Sequence, residues 1–109
     1  MATTRKVLGQ VAPAATTNTD IYTVPAATST VCSTLVAANR GGVAASFRVA
    51  VRPAGATLAN KHYLYYDVAL SPGDSFAATI GLTLAATDVV TAYASTADLS
   101  FSLFGEETT

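Results

Sequence analysis

The stretch from residue 30 to residue 53 constrains the fold most, because apolar residues occupy alternate positions in its second half. Three apolar residues would share one side of an extended chain: Phe47, Val49 and Val51. The residues between them would share the other side: Arg48, Ala50 and Arg52. Alternation with a period of two is typical of a strand with one buried face. The preceding Asn39-Arg40-Gly41-Gly42 tolerates positive φ, so the sequence predicts a hairpin of two long strands that forms the core pair.

The rest of the chain reads as shorter strands separated by turn residues such as Ser71-Pro72-Gly73-Asp74. Together with the hairpin they make about eight strands at spacings of roughly 8–12 residues, and no window has the length of a helix. The additional strand candidates span residues 5–11, 20–24, 61–68, 75–84, 88–94 and 99–105. The pattern predicts an all-β fold, an antiparallel β-sandwich of about eight strands, with a small barrel as the alternative.

Two strand candidates carry features that affect how they are buried. Residues 61–68 would place one set of side chains on one face: His62, Leu64, Tyr66 and Val68. The opposite face would carry the other set: Lys61, Tyr63, Tyr65 and Asp67. Both faces hold aromatic residues, so we expect this strand to be covered on both, and a neighbouring subunit could supply the second cover. Residues 75–84 alternate cleanly, and Gly81 within them is a candidate bulge.

Length and charge favour a single domain, residues 1–109, that packs against neighbours. Charged residues make up 12% of the chain, about half the usual share, which leaves little of the charge that keeps free monomers soluble. Residues 1–10 are a candidate N-terminal arm, and residues 106–109 a polar tail that ends the fold. The net charge of −1 argues against a nucleic-acid or membrane partner. The N-terminal residues lack the apolar core of a secretory signal, so we expect synthesis in the cytoplasm.

The residue types that carry most enzyme chemistry are few. His62 is the only histidine and Cys32 the only cysteine, which is too little for a tetrahedral zinc site, and no spacing brings them together as a nucleophilic pair. We expect His62 to pack or hydrogen-bond on a strand face, and Cys32 to be a small buried apolar residue. Four carboxylates stand at turns, where they bond the local backbone: Asp20, Asp74, Asp88 and Asp98. The sequence predicts no enzyme activity, no catalytic residue, no cofactor and no metal.

An interface is the more promising role for the polar and aromatic side chains. Tyr63, Tyr65 and Tyr66 would give a large contact area with polar tips, as at protein interfaces, although a tyrosine cluster also suits carbohydrate stacking. Arg48 and Arg52 share one face of their strand and could engage acidic groups of a partner, or be solvated edge charges. The candidate arm, through Lys6, Val7 and Leu8, is expected to add a strand to a neighbour's sheet edge.

Five segments taken together are similar to a known family of proteins. They read KVLGQVAPAATT (residues 6–17), IYTVPAATSTVCSTLVAANR (21–40), FRVAVRPAGATLANKHYLYYD (47–67), GLTLAATDVV (81–90) and LSFSLFG (99–105). In this order they resemble small, Ala/Thr-rich structural proteins in the virions of tailed bacteriophages, including phages of cyanobacteria. The resemblance implies a virion component without enzymatic activity, made in the host cytoplasm.

Two positions in the particle agree with that resemblance, and one further function lies outside it. A capsid decoration, or cement, protein that binds the major capsid protein as a trimer at shell junctions fits the low charge and the length of one domain. A tail, baseplate or fibre subunit is the alternative, although a fibre usually has a repetitive or coiled-coil extension. A carbohydrate-binding module that uses the tyrosine cluster belongs to another functional class.

Overall fold

The computed structural model describes residues 2–109 as two antiparallel sheets packed face to face. Its strands are β1 (Thr3–Val11), β2 (Thr19–Thr23), β3 (Ser29–Asn39), β4 (Ala45–Arg52), β5 (Tyr63–Leu70), β6 (Ser75–Ala78), β7 (Leu82–Leu84), β8 (Val89–Ala94) and β9 (Leu99–Thr108). The first sheet has the order β1-β9-β3-β6, with β7 also paired to β3, and the second has the order β2-β8-β4-β5. Short 3₁₀ turns cover Pro53–Gly55 and Asn60–His62. The predicted all-β sandwich is confirmed.

The core lies between the sheets and is built from the inward faces of the central strands. Phe47 on β4 is fully buried, and its ring centroid lies 5.2 Å from that of Phe76 and 5.8 Å from that of Phe101. These tilted and edge-to-face contacts are the arrangements that aromatic pairs prefer. Other fully buried side chains come from both sheets: Leu35, Val49, Val90, Leu99 and Leu103. Among the residues described, no helix is long and apolar enough to cross a membrane.

The predicted hairpin across residues 39–42 is wrong, because its two strands belong to different sheets. β3 pairs with β9, β6 and β7, whereas β4 pairs with β5 and β8. The connection passes from one sheet to the other: Arg40 N donates to Asp98 O at 2.9 Å, and neither Gly41 nor Gly42 has a positive φ. Each strand has one apolar face, and crossing between the sheets lets the two faces bury each other across the core. The predicted inward face of Phe47 and Val49 is confirmed.

The prediction that residues 61–68 alternate regularly is also wrong, whereas the expected cover of the second face by a neighbouring subunit stays a prediction. The β4–β5 pairing contains two register shifts, and Asp67 adopts a φ of +51°. As a result Tyr65 and Val68 both pack against the core, although strict alternation would place them on opposite faces. Tyr66 is 56% exposed, on the outer face of β5, which is the edge strand of the second sheet.

The two ends of the chain are paired strands, which corrects the expected arm and tail. β1 runs antiparallel to β9, from Thr3 opposite Thr108 to Val11 opposite Phe101. Ala2 and Thr109 exchange backbone hydrogen bonds of 3.2 and 2.9 Å. The candidate arm, residues 1–10, therefore lies in the chain's own first sheet, apart from Met1, which lies outside the described residues. Pairing within the chain satisfies backbone groups that an arm would leave to a neighbour.

The segment 75–84 behaves as its alternation predicts, with one difference at Gly81. Gly81 has a φ of +59° and divides the segment into β6 and β7, both of which pair with β3. The candidate bulge is therefore a break between two short strands. The apolar side chains nevertheless keep to the core side: Phe76, Ile80, Leu82 and Leu84.

Candidate binding surface

Three strands of the second sheet bring an arginine and three tyrosines together on its outer face. The guanidinium carbon of Arg48 on β4 lies 4.2 Å from the ring centroid of Tyr66 on β5 and 4.4 Å from that of Tyr93 on β8. Tyr63 meets Tyr66 edge-on, with ring centroids 4.9 Å apart. We call this set, together with Asp67, the aromatic surface. Cation–π contacts of this kind hold an arginine in one orientation, so the surface is ordered before any partner arrives.

Asp67 fixes the guanidinium from the side. Arg48 Nε donates to Asp67 Oδ1 at 2.6 Å, and Nη2 donates to Oδ2 at 3.3 Å. The hydrogen bond from Arg48 to Asp67 raises the pKa of the guanidinium further above its usual value. A bidentate pair of this type has a defined geometry. Within residues 2–109, both hydrogen bonds of the Arg48 side chain go to this one carboxylate and none comes from Nη1, which leaves that group for a partner.

Arg52 lies two residues further along β4, but its donors are used inside the chain. Nε donates to Thr91 Oγ1 at 3.1 Å, and Nη2 donates to Asp20 Oδ1 at 3.0 Å. Nη1 donates to the carbonyl oxygens of Gly55 and Ala56 at 3.2 and 2.9 Å. The side chain ties β4 to β8, β2 and the turn after β4. Of the two predicted arginines, the structure therefore places Arg48 where a partner can reach it, and uses Arg52 as an internal connection.

The tyrosines predicted as one cluster divide between two faces. Tyr63 and Tyr66 belong to the aromatic surface, whereas Tyr65 points into the sandwich, with its ring centroid 5.1 Å from that of Phe76. Tyr93 was not predicted. Its outward position follows from its place between Ala92 and Ala94, which are both fully buried. Its position opposite Arg48, however, depends on the pairing of β4 with β8, which no local pattern encodes.

The predicted arm residues occupy three different environments on β1. The ammonium of Lys6 lies 3.0 Å from Glu107 Oε1, Val7 is 49% exposed, and Leu8 is buried in the core. A shallow cavity of about 550 Å³ opens nearby on the outer face of the first sheet. The cavity is lined by Arg5, Lys6, Val31, Ser33, Phe104, Gly105 and Glu106. Val7 stands opposite Phe104 in the β1–β9 pairing, so the outer face is partly apolar here too.

The residues considered for chemistry are separate and enclosed. Cys32 is fully buried, and burial raises the pKa of its thiol to about 11, so the reactive thiolate is scarce at neutral pH. His62 lies in the turn before β5, where its Nδ1 accepts a hydrogen bond of 3.0 Å from Ala59 N. It packs and hydrogen-bonds as expected, on a turn and not on a strand. Within residues 2–109, no three or more His, Cys, Asp or Glu side chains are grouped so as to hold a metal ion.

Comparisons with known proteins give no match: no family model, no curated protein and no solved structure is similar to this chain. The aromatic surface is partly exposed, with Tyr66 its most exposed ring, and it combines an aromatic area with a positioned guanidinium.

Proposed function

We propose that the protein is a non-enzymatic structural component of a tailed-phage virion, and that it decorates the capsid by binding the major capsid protein. The proposal starts from the ordered segments between Lys6 and Gly105 that resemble such virion proteins. A single β-sandwich is compatible with this role but does not select it, because one fold serves many functions. The choice of a binding role rests on the aromatic surface.

The arrangement of Arg48 between two tyrosine rings is the observation that carries the proposal. Tyrosine and arginine are the residues most enriched at the energetic centres of protein interfaces. Ordering them in advance lowers the entropy that a partner must remove on binding. Here the cation–π contacts and the Asp67 pair already hold Arg48 in place. A protein surface with apolar groups and carbonyl oxygens would complement this arrangement.

The same contacts disfavour carbohydrate stacking. A sugar ring needs an open aromatic face, and the guanidinium of Arg48 lies over the rings of both Tyr66 and Tyr93. Tyr63 presents its ring edge-on to Tyr66. A sugar that stacked on the ring faces that Arg48 covers would have to displace it from two rings and from Asp67. We therefore favour protein binding over carbohydrate binding as the role of this surface.

Low surface charge favours a molecule that functions within an assembly. Charged residues are 12% of the chain, and four cations are already paired to carboxylates: Arg5, Lys6, Arg48 and Arg52. Little unpaired charge remains to keep copies apart. Identical subunits usually associate with closed symmetry, and a shell lattice offers three-fold junctions, so we propose a trimer. The virion is the proposed location.

The test is the copy number of the protein in purified particles, measured against the major capsid protein. A copy number comparable to that of the capsid protein supports decoration of the shell. A small fraction of it contradicts decoration and assigns the protein to the tail, baseplate or fibre. Absence from particles contradicts the virion role altogether.

A variant series then tests the surface itself. Tyr66→Ala should weaken binding to empty shells by roughly thirtyfold, the effect of losing about 2 kcal/mol at an interface centre. Val43→Ala is the matched control, because Val43 is 66% exposed and lies outside the aromatic surface. Equal loading of both variants would show that the partner binds elsewhere.

A further inference from the structure

One carboxylate near the end of β9 lies between the two sheets. The side chain of Glu107 is only 12% exposed, although the residue stands next to the last residue of β9. The phenol of Tyr22, on β2 of the opposite sheet, donates a hydrogen bond to Glu107 Oε2. On the other side, Lys6 Nζ of β1 lies 3.0 Å from Oε1. The carboxylate is therefore held by both sheets.

The charge of Glu107 decides which of the surrounding groups donate hydrogen bonds and which accept them. A phenol has one proton to donate, and Tyr22 directs it to the carboxylate. The hydroxyl of Thr30, 2.9 Å from the Tyr22 oxygen, must then be the donor in that second bond. Thr30 on β3 is 1% exposed. The result is a chain of donors from β3 to β2 to β9, with Lys6 of β1 donating from the other side. Four strands meet at one ionised group.

The neighbouring carboxylate provides a contrast within the same strand. Glu106 points to the outer face, where, among the residues described, it forms an ion pair with Arg5 alone, at 3.4 Å, and the Arg5 side chain is 87% exposed. Exposed pairs of this kind contribute little to stability. Glu106 and Glu107 therefore share a strand end and a charge, but only Glu107 connects the sheets. Cys32 belongs to the same core as Tyr22, and burial raises the pKa of its thiol to about 11, so the thiol is neutral at neutral pH.

We propose that Glu107 is an acid-sensitive latch that holds the N-terminal half of β1 against the sandwich. At the edge of the first sheet, Thr3–Val7 pairs with β9 on one side and lies outside the bulge that follows Val7. Protonation of Glu107 removes its attraction for Lys6 and weakens it as the acceptor for Tyr22. The terminal segment then opens more often, while the core beneath it remains closed.

The direction of the pH effect follows from the groups that face Glu107. The hydrogen bond from Tyr22, followed by that from Lys6, lowers the pKa of Glu107 below its usual value. Because the pKa of Glu107 is lower in the folded chain than in the unfolded chain, the stabilisation is complete when the pH is above the pKa of the unfolded chain. It is lost as the pH falls through the pKa of the folded chain. The latch is therefore closed at neutral pH and releases in acid. This inference stands independently of the virion proposal.

Hydrogen exchange of the β1 amides, corrected for intrinsic rates, tests the latch. At pH 7, Glu107→Gln should accelerate exchange in residues 3–7 by about tenfold to a hundredfold, the effect of losing a charged hydrogen bond. Glu106→Gln, the matched control, should stay within about twofold of wild type because its pair is exposed. As pH falls below 4, wild-type protection of these amides should approach that of Glu107→Gln, which itself should show little further change.

Other outcomes overturn the latch. Equal protection in Glu107→Gln and Glu106→Gln at pH 7 would show that the position between the sheets has no special effect. Constant wild-type protection down to pH 3 would exclude acid release. Should Glu107→Gln fail to fold, Tyr22→Phe removes the phenol alone and should show the same selective loosening of residues 3–7. Its failure to do so, together with a flat wild-type pH profile, would also reject the proposal.

Discussion

Arg48 and Arg52 stand two residues apart on one face of β4, yet their surroundings give them different roles. Arg48 contacts two exposed rings and donates to one carboxylate. Arg52 donates to two side chains and two backbone carbonyl oxygens of its own chain. The sequence presents them as equivalent, because alternation assigns a residue to a face but not to a partner. At the residue scale, the two arginines differ in the groups that accept their hydrogen bonds.

Truncation of Phe47 tests the centre of the core. Phe47 is fully buried and contacts rings from both sheets, so Phe47→Ala should lower the free energy of unfolding by roughly 3–5 kcal/mol. A domain of this size has about 5–15 kcal/mol in total, so the variant should melt far below wild type or fail to fold. Val43→Ala, at an exposed loop position, should stay within about 0.5 kcal/mol. Wild-type-like chemical denaturation of Phe47→Ala would place the core elsewhere.

At the scale of strands, the sequence predicts local character better than pairing. Most strand positions, the inward face of β4 and the alternation of residues 75–84 follow from period-two patterns. The pairing of β3 with β9 joins residues far apart in the chain, and no local signal specifies it. Irregularities within a strand are equally hard to predict from the sequence. The positive φ at Asp67 occurs without a glycine, so the sequence gives no sign that alternation breaks in β5.

Two glycines offer a test of how closely the sheets approach at their shared corner. A Cβ added to Gly9 of β1 would lie 2.1 Å from the carbonyl oxygen of Ile21 on β2, and backbone cannot yield as a flexible side chain does. Gly9→Ala should therefore destabilise the fold by about 1–3 kcal/mol. Gly42 has open space around it and no positive φ. Gly42→Ala should be neutral or stabilising by up to about 1 kcal/mol. Equal urea midpoints for the two variants would contradict this close approach.

At the scale of the whole molecule, the aromatic surface was only half predictable. Tyr66 and Arg48 were expected at an interface from residue type and spacing, whereas Tyr93 joins them only because β8 lies beside β4 in the second sheet. The termini show the same effect, since β1 and β9 complete one sheet from opposite ends of the chain. Pairing with each other thus makes both polar chain ends strands of the first sheet. The same pairing places Glu107 where it connects the two sheets.

Alkaline pH should also weaken the connection at Glu107, because it ionises Tyr22 and so lowers the free energy of unfolding. Burial, and then the hydrogen bond to Glu107, raise the pKa of Tyr22 to about 12, above the value of about 10 expected in the unfolded chain. Its stabilisation is complete below pH 10 and is lost as pH rises towards 12, because the unfolded chain releases the proton first. The loss should reach at most about 1.4 kcal/mol per pH unit, the value for one proton.

The effect of Tyr22 ionisation can be separated from that of the buried thiol if both proteins that are compared lack the thiol. Burial raises the pKa of Cys32 to about 11, so the thiol adds its own alkaline dependence and is best removed by Cys32→Ala. Unfolding free energies from pH 9 to 12 are then compared with and without Tyr22→Phe. The double variant should be less stable below pH 10, because Glu107 loses a donor, and its curve should be flatter between pH 10 and 12, so that the two curves converge. Parallel curves would mean that Tyr22 ionises equally readily in the folded and unfolded chains, which its burial against Thr30 and Glu107 argues against.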